Sequence, residues 1–141
     1  DQLDIPLTVG NIKIIDKGDM SIEEHWRNER YDFFRKIGGP VVSAHTLDDA
    51  VEWWIFSSLH GRGKIIPYRN ENVIRPFLLT EKKDLIRWCS RRGVSYMTDP
   101  GNHDEKFMRT IIRHNIVPEA LRVNPGLRKV IKKKIAASAC T

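Results

Sequence analysis

The stretch Val41-Val42-Ser43-Ala44-His45-Thr46-Leu47-Asp48-Asp49-Ala50-Val51-Glu52-Trp53-Trp54-Ile55-Phe56-Ser57-Ser58-Leu59-His60-Gly61 decides the fold. It reads as a short buried strand, a turn at His45 and an amphipathic helix. Leu47, Ala50, Val51, Trp54, Ile55 and Leu59 recur at the spacing of one apolar helix face. At about 100° per residue, His45, Asp48, Asp49 and Glu52 fall on a separate stripe, roughly opposite. A strand that delivers a histidine and three acids to its carboxyl end sets them where open α/β sheets bind ligands.

Upstream, Leu7, Val9, Ile12, Ile14 and Ile15 surround Gly10-Asn11, which predicts one or two short strands within residues 3–15. Ser21-Ile22-Glu23-Glu24 is a capping box that opens a helix to about Ile37, stopped by Gly38-Gly39-Pro40. Downstream, Gly61-Arg62-Gly63 ends the central helix. Residues 64–69 are expected to be extended, Asn70-Glu71-Asn72 to turn, and residues 73–79 to form a strand in which Pro76 favours a sheet edge or the strand end. Thr80 is expected to cap a helix to about Arg92, with Leu85, Ile86, Trp88 and Cys89 inward. Gly93 closes it, and Val94-Ser95-Tyr96-Met97 reads as another strand. Alternating helices and strands imply a parallel α/β sheet. After the turn Asp99-Pro100-Gly101-Asn102 the pattern is helical, with Asn102 and Asn124-Pro125 opening helices and Pro118 a short helical piece. The expected organisation is an α/β portion over 1–99 and a basic helical segment over 100–141.

The chain of 141 residues is 40% hydrophobic and 30% charged, a globular composition. No apolar run approaches the roughly 18 residues of a membrane span. Cys89 and Cys140 form no metal-ligand pair, and free thiols in a reducing cytoplasm are the expectation. The net charge of +6 is uneven. Acids and bases balance over residues 1–99, so the whole excess lies in the last 42 residues. That asymmetry points either to an anionic partner such as nucleic acid or to a solvated basic helix.

Three constellations could carry chemistry. Asp49, three residues after Thr46, and Asp48 also suit a helix cap and the positive end of the helix dipole. Glu52 is not explained by capping. Together the carboxylates suit a hard cation such as Mg²⁺, a substrate ammonium, or proton abstraction. Lys106, Arg109 and Arg113 form a basic stripe beside Met108, Ile111, Ile112 and Ile116, fit for phosphate or carboxylate contacts or for solvent. Arg128, Lys129, Lys132, Lys133 and Lys134 line the final helix beside Val130, Ile131 and Ile135, as a backbone-tracking patch or a solvated terminus would. No G-x-x-x-x-G-K-[ST], G-x-G-x-x-G, C-x-x-C or H-E-x-x-H pattern occurs.

In order and spacing, four motifs resemble the tRNA(Ile)-lysidine synthases of the PP-loop (N-type) ATP pyrophosphatase superfamily. Ser21-x-Glu23-Glu24-x-x-Arg27-x-x-Arg30-Tyr31 is similar to the family's S-x-E-x-x-A-R-x-x-R-Y helix. Ala44-His45-x-x-Asp48-Asp49-x-x-Glu52 is similar to A-H-x-x-D-D-Q-x-E, and Ile74-Arg75-Pro76-Phe77-Leu78 to I-R-P-L-L. Asp99 to Asp104, Arg109 to Arg113, Ile116-Val117-Pro118 and Asn124-Pro125 follow its later motifs. The resemblance implies a Rossmann-like, adenine nucleotide alpha hydrolase-like α/β domain followed by a small helical segment. It implies ATP-dependent adenylation of a wobble cytidine in an isoleucine tRNA, followed by displacement of AMP by lysine. Carried over, Asp48, Asp49 and Glu52 would organise Mg²⁺ and the lysine ammonium, with Asp48 and Asp49 on the metal. His45 would face the nucleotide, and Arg109 and Arg113 would hold phosphate or the anticodon nucleotide. Lys106, Arg128, Lys129, Lys132 and Lys133 would contact tRNA.

The family's S-G-G-x-D-S phosphate loop has no counterpart here, since Gly38-Gly39 precedes Pro40 and a later strand. Ala50, Thr110 and Gly101 replace the family's Gln, Asn and Ser. The expectation is an α/β domain incomplete at its N-terminus, working with a separate polypeptide that carries the loop. The alternative is a non-catalytic remnant that binds nucleic acid or serves assembly. The absence of paired cysteines argues against a cluster-dependent tRNA thiolase.

Overall fold

The structure, a computed structural model, describes residues 5–12, 21–97 and 108–139. The chain divides into two units, Asp1–Val41 and Val42–Thr141. In the first, α1 (Ile22–Ile37) begins as its capping box predicts: the Glu24 N–H donates to Ser21 Oγ at 3.2 Å. It stops at Gly38, whose φ of 75° is easy for a residue without Cβ. The expected strands are not formed over residues 5–12, which are irregular and exposed, and residues 13–15 lie outside the described residues. Strands need a paired neighbour to hold their backbone groups, and these apolar residues are assigned to no strand pair. Gly10 passes so close to Phe33 that a Cβ would lie 2.7 Å from its ring.

The second unit is built around α2 (Leu47–Leu59), which follows the short strand β1 (Val41–Val42). β2 (Arg69–Asn70) and β3 (Val73–Ile74) complete a small sheet of order β1-β3-β2. β2 and β3 pair antiparallel, with Arg69 opposite Ile74 and Asn70 opposite Val73. The expected wholly parallel sheet is therefore corrected. Two residues, Glu71 and Asn72, connect these strands, and so short a link closes only an antiparallel hairpin. Glu71 takes a φ of 52° to make the turn. β3 stops at Ile74, because Pro76 has no N–H to continue a ladder. The chain turns instead, Leu78 donating to Arg75 O and Thr80 to Phe77 O.

α3 (Lys82–Arg92) starts after Glu81 rather than Thr80 and ends at Gly93 with φ 65°. None of its side chains is fully buried, and Trp88, expected inward, is 54% exposed. Val94–Met97 form no strand. The turn expected at 99–102 lies outside the described residues.

The C-terminal helices supply the other half of the core. α4 (Met108–Ile111) runs into a π-helical turn, Ile112–Ile116, and then into α5 (Val117–Val123). Pro118 accounts for the widened turn: in α register its ring would meet the His114 carbonyl. The Val117 N–H instead reaches back five residues to Ile112 O. Asn124 Oδ1 accepts from the Gly126 N–H at 3.0 Å and leads into α6 (Leu127–Ala139). Leu47, Ala50, Val51 and Ile55 of α2 pack with Leu78, Ile112, Leu127, Ile131 and Ile135 in one cluster. The expected apolar face is correct except at its end, where Leu59 is 65% exposed. α2 shares its core with α6, and both lie in the unit Val42–Thr141.

Fully buried Ile131 should therefore cost about 3 kcal/mol when cut to alanine, whereas Leu59→Ala should cost under about 0.5 kcal/mol. Urea unfolding of the two variants measures the difference.

Candidate active site

The α2 carboxylates do not point into solvent. Each meets a partner from another part of the second unit, and the three are not gathered on His45. Thr46 precedes the helix, and Asp49 Oδ2 accepts from both the Thr46 N–H and Thr46 Oγ1 at 2.7 Å. The capping reading of Asp49 is thus correct, and it uses one oxygen. Asp49 Oδ1 lies 4.0 Å from Arg113 Nη2. Glu52 is 7% exposed, and its Oε2 accepts from Arg113 Nε at 2.9 Å. Arg113 sits in the π-helical turn. The widened turn is therefore part of what aims its guanidinium at α2, a recurrent use of π-bulges at functional positions.

Asp48 makes a second junction. Its Oδ2 accepts from the Lys82 N–H at 2.7 Å and its Oδ1 from Arg128 Nη2 at 2.9 Å. Leu47 N–H donates to Thr80 O, which sets the beginnings of α2 and α3 side by side. A carboxylate between two helix N-termini is held by both dipoles. Arg128 also approaches Glu81 Oε2 at 3.5 Å. Neither Glu81 nor the Lys82 N–H stands out in the sequence. The sequence presents Thr80 as the cap, and Glu81 takes that place in the structure.

The two acids titrate in opposite directions. Burial pulls Asp48 upward, but the Lys82 N–H and the Arg128 guanidinium outweigh it and hold Asp48 below the usual carboxylate value. For Glu52 burial wins: its pKa is raised, aided by Asp49 and opposed by Arg113 and Arg109. Asp48 therefore adds stability above its unfolded pKa that is lost as pH falls through its lowered folded value. Glu52 adds stability below its unfolded pKa that is lost as pH rises through its raised one.

The remaining predicted residues are dispersed. His45 is half-buried, its Nδ1 hydrogen-bonded to Ser43 Oγ. Arg109 lies over Trp53, its Cζ 5.4 Å from the ring centroid. Arg128, expected on a phosphate-tracking surface, is hydrogen-bonded to Asp48. Lys129 and Lys133 are exposed and Lys132 is half-exposed on α6, and Lys106 lies outside the described residues.

A Mg²⁺ shared by Asp48 and Asp49 would need carboxylate oxygens open to an octahedral shell. Both Asp48 oxygens and one Asp49 oxygen already have donors, with two arginines beside them. The arrangement does not fit that ion, and among the described residues no group of three or more His, Cys, Asp or Glu side chains is placed to hold a metal.

Beside Asp49 opens a largely apolar cavity of about 320 Å³. It is lined by Ala44, Thr46, Asp49, Lys82, Leu85, Ile86, Cys89 and Tyr96, so a lysine shares the wall with the carboxylate. It is of ligand size, with a carboxylate in its wall. Periodicity gave no sign of it, because it lies between two helix starts.

A family model described as the PP-loop domain matches residues 1–120. The chain belongs to the PP-loop family. The family implies an adenine nucleotide alpha hydrolase-like α/β fold, in agreement with the class expected from sequence. Similar curated proteins include the tRNA(Ile)-lysidine synthase of Thermosipho africanus, 33% identical over 92% of this PP-loop chain and 31% of its own length. That of Persephonella marina is 34% identical over 81% of the chain and 27% of its own length. The Bacteroides thetaiotaomicron protein of that name is 33% identical over 77% and 28%. The chain thus spans about a third of the length of the relatives it matches. No described helix is long and apolar enough to cross a membrane.

Removing Arg113 leaves Glu52 buried without its guanidinium. Such losses cost roughly 3–5 kcal/mol when both partners are buried, and partial exposure of Arg113 brings the expectation for Arg113→Met to about 2 kcal/mol at neutral pH. Without Arg113 the folded-state pKa of Glu52 rises further, so the deficit should shrink as Glu52 is protonated toward about pH 4. Urea titrations at the two pH values measure it.

Proposed function

We propose that this chain is the lysine-binding and RNA-facing part of an ATP-dependent tRNA-modifying ligase, one that forms lysidine at the wobble cytidine of an isoleucine tRNA. One observation carries the reading: the apolar cavity with Asp49 in its wall. Lysine is a four-carbon apolar stem ending in an ammonium. Leu85, Ile86 and Ala44 suit the stem, and a carboxylate suits the head. The names of the similar proteins and the PP-loop match support the same class.

In this reading ATP is a substrate. Adenylation of the cytidine C2 oxygen releases pyrophosphate. The lysine amine then forms a bond to C2, the bond to the adenylate oxygen breaks, and AMP leaves. Asp49 holds the ammonium. Glu52, raised by burial, is the carboxylate suited to accept the proton that the amine must lose before it attacks. Arg113 touches both acids and holds their orientation, and with Arg109 it offers positive charge to phosphate or to the nucleotide. His45, next to Thr46, faces the nucleotide. No step is assigned to Mg²⁺. The exposed lysines of α6 follow the tRNA backbone, with Lys106 joining them, and the work is cytoplasmic. The family's phosphate loop completes the ATP site.

The test mixes the chain with a polypeptide carrying that loop, ATP and tRNA, and follows AMP. Lysine-dependent AMP release, reduced at least about 100-fold by Glu52→Gln, is the expected result. No release in any combination would overturn the assignment and leave the non-catalytic, nucleic-acid-binding reading.

A further inference from the structure

α2 has a second functional face. Trp53, Phe56 and His60 follow one another three and four residues apart, so they stack along the helix. The Trp53 and Phe56 rings lie 5.6 Å apart in a stacked arrangement, and Phe56 and His60 lie 4.4 Å apart. His60 is fixed by its Nδ1 against Phe56 O at 2.8 Å. At one end Arg109 lies over both Trp53 and Phe56, at 5.4 and 6.0 Å from their centroids.

At the other end the loop Gly61-Arg62-Gly63-Lys64 folds back on the helix. The Arg62 and Gly63 N–H groups donate to Ser57 O, and the Lys64 N–H donates to Ser57 Oγ. Gly61 and Gly63 take φ of 72° and 55°, which permits the reversal. Ser57 itself is buried. Exposed Arg62 and Lys64 therefore stand at a fixed place beside exposed His60.

We propose that this ladder of rings, with Arg109 at one end and Arg62 and Lys64 at the other, is a stacking platform for unpaired bases of RNA. Single-stranded nucleic acid is bound by aromatic faces and guanidinium planes for its bases and by cations for its phosphates. Here exposed His60 ends a stack whose Trp53 and Phe56 are half-buried, Phe56 against the core, and Arg62 and Lys64 stand beside it. The platform rests on the tRNA reading for the identity of its RNA. It deepens that reading by adding contacts to unpaired nucleotides beyond the reacting one.

The experiment measures binding of the full chain to a labelled single-stranded oligoribonucleotide of about ten nucleotides and to the duplex of the same sequence. Fluorescence anisotropy reports the affinity, and thermal melting confirms that each variant is folded. The wild type should prefer the single strand. Trp53→Leu should weaken that binding about 10-fold and His60→Ala about 5-fold, with the duplex affinity unchanged. Lys129→Ala should lower both affinities together. Because His60 is exposed, its variant should remain folded even if Trp53→Leu does not. Equal affinity for the two oligonucleotides, or single-strand binding indifferent to His60→Ala and any folded Trp53 variant, would overturn the platform. AMP release in the ligase assay is a separate readout, so failure of the platform and failure of the ligase reading are distinguishable.

Discussion

The carboxylates of α2, Glu52 buried and Asp48 and Asp49 half-buried, are met by arginines from the far end of the chain. Glu52 is nearly inaccessible, and an isolated ionised carboxylate there would be costly. Arg113, 61 residues on, supplies the charge, and Arg128, 80 residues from Asp48, does the same at the start of the helix. These ion pairs and the apolar cluster of α2, the π-helical turn and α6 settle the same arrangement by different means. The apolar contacts give most of the stabilisation. The pairs decide which way the helices face, because misplacing either arginine strands a carboxylate.

The same arrangement shapes the chemistry. Two acids one turn apart would ordinarily titrate alike. Here helix N-termini and Arg128 hold Asp48 charged, while burial makes Glu52 the more basic of the two. Environments that push similar groups apart are how a site separates binding from proton transfer. The carboxylate that remains beside the cavity, Asp49, keeps one oxygen for Thr46 and turns the other toward Arg113. With both Asp48 oxygens and one Asp49 oxygen already accepting hydrogen bonds, and two arginines beside them, a shared metal ion does not fit this arrangement.

Much of this was legible in the sequence. The α1 cap, the α2 cap and apolar face, and the stops at Gly38 and Gly93 are local, so local residues announce them. The hairpin was legible too: Asn70-Glu71-Asn72 between two extended runs signals antiparallel pairing, and the parallel expectation overrode it. The exposure of Trp88 and Leu59 could not be read, because apolar spacing does not say which neighbours exist. The contacts of Arg113 with Glu52 and Arg128 with Asp48 join residues far apart in the chain. Spacing identified all four as candidates without pairing them. Arg128 reads as one of the exposed cations of α6 because lysines follow it in the sequence. The π-helical turn was hidden behind Pro118, which reads as the start of a short helical piece and acts as a change of register.

The central claim is that the C-terminal arginines and the α2 acids form one energetic unit. A double-mutant cycle between Glu52→Gln and Arg113→Met, read by urea unfolding at neutral pH, tests it most directly. The account predicts a coupling of at least about 1 kcal/mol, with the double variant more stable than the sum of the single changes implies. Additive effects within about 0.3 kcal/mol would contradict it.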